Sequence, residues 1–268
     1  MTDANEIKNI LQFYISAGVD ETCGDDVFKI EQKAAVQSSP EPLGAGSAFY
    51  QRAATTNLSQ NIIASKQNAR ELCAKAQNLS ELKELIGAFE GCALKLTAKS
   101  TVFGAGNPRA DVLLIGEAPG ADEDRVGLPF VGRSGRLLEK MLMAIGLKRE
   151  DVYITNVLPW RPPGNRTPTD AEVAICLPFL KRQIELVCPK VILLLGASAA
   201  DAVLDSTDSI SKLRGRWLEY ELSNKVTIPV LASFHPAFLL RNSAQKAKAW
   251  SDFLRMEKKL KENLIKSC

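Results

Sequence analysis

The chain has one histidine, no CxxC pair, no apolar run of membrane-spanning length, and no basic, apolar start of the secretory kind. Each absence removes a class of protein. Without CxxC, neither a zinc ribbon nor a thioredoxin-type redox motif is supported. Without a spanning run or an export signal, the expectation is a cytoplasmic protein with no membrane partner. GxxxxGK[ST] is missing, and the GAG at 104–106 precedes a strand where a dinucleotide fingerprint would follow one. The six cysteines, at 23, 73, 92, 176, 188 and 268, then read as reduced buried thiols.

What is present is a chain of 268 residues, long enough for one main domain plus an extension. Its net charge of +3 is unevenly spread. Residues 1–50 carry 3 Lys and no Arg against 8 acids, a balance of −5, whereas the remainder has 31 basic and 23 acidic residues, or +8. A mildly acidic arm on a basic body suits a core that binds a polyanion, although ordinary solvated surface explains the charge equally well. Residues 5–17 place Ile7, Ile10, Leu11 and Tyr14 on one helical face, which has to dock on the core or on a partner. Residues 19–60, rich in Ser, Pro and Gly, read as a linker. The division is therefore an arm over 1–60 and a folded domain over 61–268.

Helices are expected over 65–77 and 79–90, with Asn78 and Glu81 as a capping box between them. From Ala110 the pattern becomes regular. Apolar runs at 111–115, 152–155, 191–195 and 229–232 alternate with segments that have room for a loop and a helix, as parallel crossovers require. The helices fall over 134–146, 170–187, 197–204 and 244–264. The expected fold is α/β: three αβα layers around a four-stranded parallel sheet. Each strand is followed by stiff or polar residues: GEAPG after the first, Asn156 and RPPGNR after the second, GASAA after the third, HPAFLLR after the fourth. In such sheets ligands bind beyond the carboxyl ends of the strands, so these segments converge on the candidate site.

GEAPG…GLPFVGRSGRLLEKML, VYITNVLPWRPPGNRTPT, LLLGASAA, LRG and HPAFLLR, in this order and spacing, resemble the type-4 uracil-DNA glycosylases of the uracil-DNA glycosylase superfamily. The resemblance runs from about Cys92 to Trp250. It implies a monofunctional hydrolase of base excision repair, which cuts the N-glycosidic bond of flipped-out uracil in single- or double-stranded DNA and leaves an abasic site. Unstacking the base costs a few kcal/mol.

By the same resemblance, Phe130 stacks on the base, and Asn156 reads its edge by accepting from N3–H and donating to O4. His235 contacts O2, where negative charge grows on the leaving group. Gly116 and Ala118 line the base site; Ala118 stands where a better-known family has a water-activating Asp. Glu117 and Glu123 are the candidates for positioning water or countering charge on the sugar, with Asp122 and Asp124 left as loop acids. Arg161, Asn165, Arg166 and Arg241 suit phosphate contacts. Leu239 or Leu240 is a candidate wedge for the gap left by the flipped base. Gly196–Ala200 is expected only to pack a helix closely.

The chain departs from the pattern at one place. Type-4 enzymes carry a four-cysteine iron–sulfur cluster, and here the ligand positions fall on Phe89, Cys92, Trp160 and Cys176. Two residual cysteines and two aromatic residues imply no cluster, the rings filling the vacated volume. The partners implied are uracil-containing DNA and, through the arm, a repair protein, with the enzyme a monomer. The alternative is a catalytically silent protein of the same fold that binds DNA or a repair partner.

Overall fold

A computed structural model describes the backbone of residues 46–266 and the side chains of residues 60–262. The helix expected over 5–17 and the linker as far as residue 45 lie outside the described residues. The body of the molecule is the unit Phe49–Cys268. Its elements are α1 (Gly46–Lys75), α2 (Leu79–Ala88), α3 (Leu94–Thr97), β1 (Ala105–Gly106), β2 (Val112–Gly116), α4 (Ala121–Val126), α5 (Arg133–Met143), β3 (Tyr153–Asn156) and α6 (Asp170–Val187). They continue with β4 (Val191–Leu195), α7 (Ala197–Leu204), α8 (Ile210–Leu213), β5 (Trp217–Glu221), β6 (Thr227–Ser233), α9 (Pro236–Arg241) and α10 (Lys246–Lys266).

The sheet is mixed and has six strands, in the order β1-β3-β2-β4-β6-β5, which corrects the expected four-stranded parallel sheet. The four expected strands form its centre and are mutually parallel. The two additions, β1 against β3 and β5 against β6, are antiparallel edges. A search for continuous apolar runs finds strands buried on both faces and passes over edges. β1 is two residues long, and β5 (WLEYE) alternates exposed with half-buried side chains.

Alternation along the central strands builds two cores. Leu113, Ile115, Ile192, Leu194, Val230 and Ala232 point to one face, where Leu180, Ile184 and Val187 of α6 and Ala199, Ala200 and Val203 of α7 cover them. Val112, Leu114, Ile154, Val191, Leu193 and Leu231 point to the other, against Leu138 and Leu142 of α5 and Phe253 and Met256 of α10. The connection leaving β2 therefore runs over one face, and the one leaving its neighbour β4 over the other. Such a divergence opens a crevice at the carboxyl ends of the two strands.

A third core lies under α1, α2 and α6, where Ala69, Leu82, Ile86, Phe89, Leu94, Trp160 and Phe179 are buried. α1 begins at Gly46, so the carboxyl part of the expected linker is helical. At the start of α2, Asn78 Oδ1 accepts from Glu81 N–H at 3.0 Å. Glu81 answers to the backbone N–H of Gln77 (2.8 Å) and the Asn78 amide (2.7 Å), one residue off the expected reciprocal box. Among the described residues no helix is long and apolar enough to cross a membrane.

Candidate active site

At the carboxyl end of the sheet, parallel pairing sets Gly116 directly beside Asn156. The absence of a side chain on Gly116 creates the first feature of the site. A Cβ there would fall 2.4 Å from Asn156 Oδ1 and 2.7 Å from the Phe130 ring, so both groups close onto bare backbone. Asn156 is 5 % exposed, and its carboxamide is open to the cavity that it lines.

Phe130 is 4 % exposed and has φ of 52°, the left-handed region that a bulky side chain rarely occupies. Three contacts hold it there. Arg149 donates to the carbonyls of Phe130 (3.0 Å) and Pro129, and is itself paired with Glu139 at 3.1 Å. Glu123 Oε1 accepts from the next two backbone N–H groups, Val131 (3.0 Å) and Gly132 (2.9 Å). Gly135, in the first turn of α5, lets the helix approach; a Cβ there would meet the Phe130 carbonyl oxygen at 1.8 Å. The ring so fixed lies 5.5 Å from the His235 ring, centroid to centroid.

His235 caps α9. Its Nδ1 accepts from Ala237 N–H at 3.1 Å, which in the neutral ring leaves the proton on Nε2. Burial above all, and then the Arg241 cation, depress its pKa to about 4 against a partial counter-effect from Glu123. At neutral pH the imidazole is uncharged and Nε2–H is a free donor.

Phe130, Asn156 and His235 line one cavity of about 440 Å³, together with Glu117, Ala118, Pro119, Arg166 and Arg241. The two glutamates differ sharply. Glu123 has both oxygens engaged, Oε2 taking Gly120 N–H (3.1 Å) while Oε1 takes the pair described above. These bonds brace the loop, and the carboxylate that makes them also borders the cavity. The same brace creates α4, a helix inside a segment expected to be loop. Asp124, expected as a loop acid, is buried and accepts from the backbone N–H of Lys99 (2.8 Å) and Ser100 (3.1 Å). Among the described residues Glu117 has one side-chain partner, Ser198 Oγ, which donates to Oε2 at 2.8 Å.

The expected phosphate contacts are dispersed around the rim. Arg161 Nε donates to Asn165 Oδ1 at 2.7 Å. Arg166 makes a two-point ion pair with Glu172, at 2.6 and 2.9 Å, which drives the Glu172 carboxyl down to about 2. A phosphate at Arg166 thus competes with a carboxylate already in place. Arg241 is exposed at the cavity edge. The two leucines part ways. Leu239 is fully buried with Phe234 and Ala249 in a core cluster, whereas Leu240 is 41 % exposed.

Sequence reasoning missed Arg149 and Ser198. Ser198 lies inside GASAA, a segment whose small residues signal only close packing; Arg149 carries no local signal.

The four positions that the resemblance assigns to a cluster lie in the third core. Cys176 Sγ approaches Cys92 Sγ at 3.9 Å, and both residues are buried. Phe89 and Trp160 occupy the other two positions with nearly parallel rings (6.4 Å, 17°), and Phe179 packs edge-on against Phe89 at 5.0 Å. Trp160 Nε1–H donates to Thr101 Oγ1 at 3.0 Å. Among the described residues there is no group of three or more His, Cys, Asp or Glu placed to hold a metal. This donor set does not fit a group that takes four thiolates.

Residues 103–254 match the family model described as the uracil DNA glycosylase superfamily. The chain is 42 % identical over 184 residues to the type-4 uracil-DNA glycosylase of Archaeoglobus fulgidus, covering 67 % of this chain and 92 % of that protein. The type-4 uracil-DNA glycosylase of Thermotoga maritima is 44 % identical over 168 residues, 62 % of this chain and 85 % of its own length. A type-5 uracil-DNA glycosylase of Pyrobaculum aerophilum is 33 % identical over 155 residues, 52 % and 67 % of the two chains. With the cavity at the carboxyl ends of β2, β3 and β6 falling inside the matched span, the chain belongs to the uracil-DNA glycosylase superfamily.

Proposed function

We propose that this protein is a uracil-DNA glycosylase that hydrolyses the bond between deoxyribose C1′ and N1 of uracil flipped out of DNA. The observation that carries the reading is Asn156. The residue is buried, its carboxamide oxygen and the Phe130 ring both close onto Gly116, and it lines one cavity with His235. A fixed carboxamide accepts from uracil N3–H and donates to O4. Cytosine presents the opposite pattern and leaves buried groups unpaired.

In the reaction the C1′–N1 electron pair leaves with the base, and negative charge spreads to uracil O2. His235 Nε2–H, uncharged and already oriented by its own cap, donates there; such a donor is worth about 10²–10³ in rate. Phe130 stacks on the extruded base for about 1–3 kcal/mol. Water adds its oxygen to C1′ and releases a proton, which balances the departing uracil anion. Ala118 leaves room for that water, and Glu117 is the carboxylate available to orient it and to offset positive charge on the sugar. Glu123 acts through the loop. Arg161, Asn165 and Arg241 hold phosphates, Arg166 exchanges its Glu172 partner for one, and Leu240 fills the vacated stack.

The catalytic domain is residues 61–268 together with the start of α1 that runs into it from Gly46, working as a monomer and without an iron–sulfur cluster; the residues before that helix serve as the arm to a repair partner. The test is incubation with a uracil-containing oligonucleotide, then alkaline scission, beside a thymine control. Strand breaks at uracil alone are expected. Retained DNA binding with no scission would give the silent alternative instead.

A further inference from the structure

We infer that Ser198 is a positioning residue for the reaction, setting the orientation of the Glu117 carboxylate; this rests on the glycosylase reading above. Glu117 leaves β2 and Ser198 opens α7 just after β4, so their 2.8 Å hydrogen bond spans the crevice between the two diverging connections. Glu117 also borders two spaces. One is the base cavity. The other, of about 340 Å³, is lined by Ser198, Leu158, Thr167 and Asp201 and lies on the α6–α7 side. A glutamate between two cavities has room to rotate toward either.

The hydroxyl decides between them. Ser198 lines the rear cavity and not the base cavity, so its bond anchors Oε2 from behind. Among the described residues no protein group donates to Oε1, which is left for a water at the sugar side of the base cavity. Without that anchor the carboxylate is free to rotate between the two spaces, and the oriented fraction falls. Misplacing a positioning group by about 1 Å can cost 10²-fold.

The experiment is single-turnover excision from a uracil oligonucleotide with the full chain, its Ser198→Ala and Glu117→Ala variants, and the double variant. Affinity is read separately on an oligonucleotide bearing 2′-fluoro-2′-deoxyuridine, which resists cleavage. Ser198→Ala is expected to slow the bond-breaking step by about tenfold or more with affinity unchanged. In the Glu117→Ala background the same substitution is expected to change nothing further. Equal losses in both backgrounds, a Ser198→Ala rate equal to the parent's, or a loss confined to affinity would each overturn the assignment. A parent chain that excises no uracil overturns the glycosylase reading first, and the assignment with it.

Discussion

Trp160 and Arg161 are neighbours in sequence and belong to two regions that keep their shape by different means. On the Arg161 side, around the base cavity, side chains are held by directed bonds: Glu123 by three backbone N–H groups, Phe130 through Arg149, His235 by its cap on Ala237. On the Trp160 side the loop is held by volume, with the indole stacked near Phe89 and one hydrogen bond to Thr101. In the first region the chemistry specifies residue type, because a donor cannot be exchanged for an acceptor. In the second, what has to be supplied is a filled space and an anchor for the 161–166 loop. Rings of the right size supply both. On the Trp160 side, then, volume is what the residues have to supply, whereas in the proposed reaction the Asn156 carboxamide supplies a donor and an acceptor that volume alone does not.

The sharpest way to break this contrast is Asn156→Asp, a change that keeps volume and reverses one hydrogen-bonding group. Carboxylate oxygen would then face uracil O4, acceptor against acceptor. Single-turnover excision of uracil should fall by about 10³-fold or more, with the melting temperature little changed. Excision at the parent's rate would show that Asn156 reads nothing.

Trp160→Ala makes the opposite demand. No hydrogen-bonding code is altered, but a fully buried indole is lost and the Phe89 ring loses its neighbour. Denaturant unfolding should show a loss of about 3–5 kcal/mol, with excision per folded molecule affected far less than by Asn156→Asp. If activity collapses while stability holds, the aromatic pair serves the chemistry and the contrast fails.

In the proposed reaction His235 joins both concerns, as a donor to the base and as the cap of α9. His235→Ala should slow excision by about 10²-fold with DNA affinity largely kept. The pH dependence of stability tests its environment. The folded pKa, about 4, lies below the unfolded value near 6.5, so between them the unfolded chain binds more protons. This histidine's share of stability is therefore complete above about pH 6.5 and is lost as pH falls toward 4. Denaturation of parent and His235→Asn across that window should show a shallower slope in the variant; identical slopes would place the imidazole in solvent.

The same division explains what the amino-acid order made legible. The central strands were readable because burial on both faces writes an unbroken apolar run, as in VILLL; β5 was not, since its side chains are half in water. The convergence of Glu117, Asn156 and His235 was legible because parallel strands carry whatever follows them to one end. Bracing contacts were not. Arg149 reaches Phe130 across 19 positions and Ser198 reaches Glu117 across 81, and no local pattern encodes either. Glu123 had a local sign, a glutamate three residues after a glycine at a helix start, yet without periodicity the segment read as loop.

Leu239 and Leu240 bring the contrast down to adjacent residues, with the smallest expected effect. A helix turns about 100° per residue, so two neighbouring leucines cannot share one environment. Leu239 faces Phe234 and Ala249, and Leu239→Ala should cost about 2–5 kcal/mol of stability. Leu240→Ala should leave stability within about 0.5 kcal/mol. Its effect belongs to the substrate: in a duplex the flipped base leaves a gap that an exposed apolar side chain can fill, whereas a single strand has no stack to repair. Excision from duplex should therefore slow by about three- to tenfold, and from single strands hardly at all, as one apolar contact is worth about 1 kcal/mol. Equal slowing on both substrates would make Leu240 a general contact and leave the duplex gap to another residue of the rim.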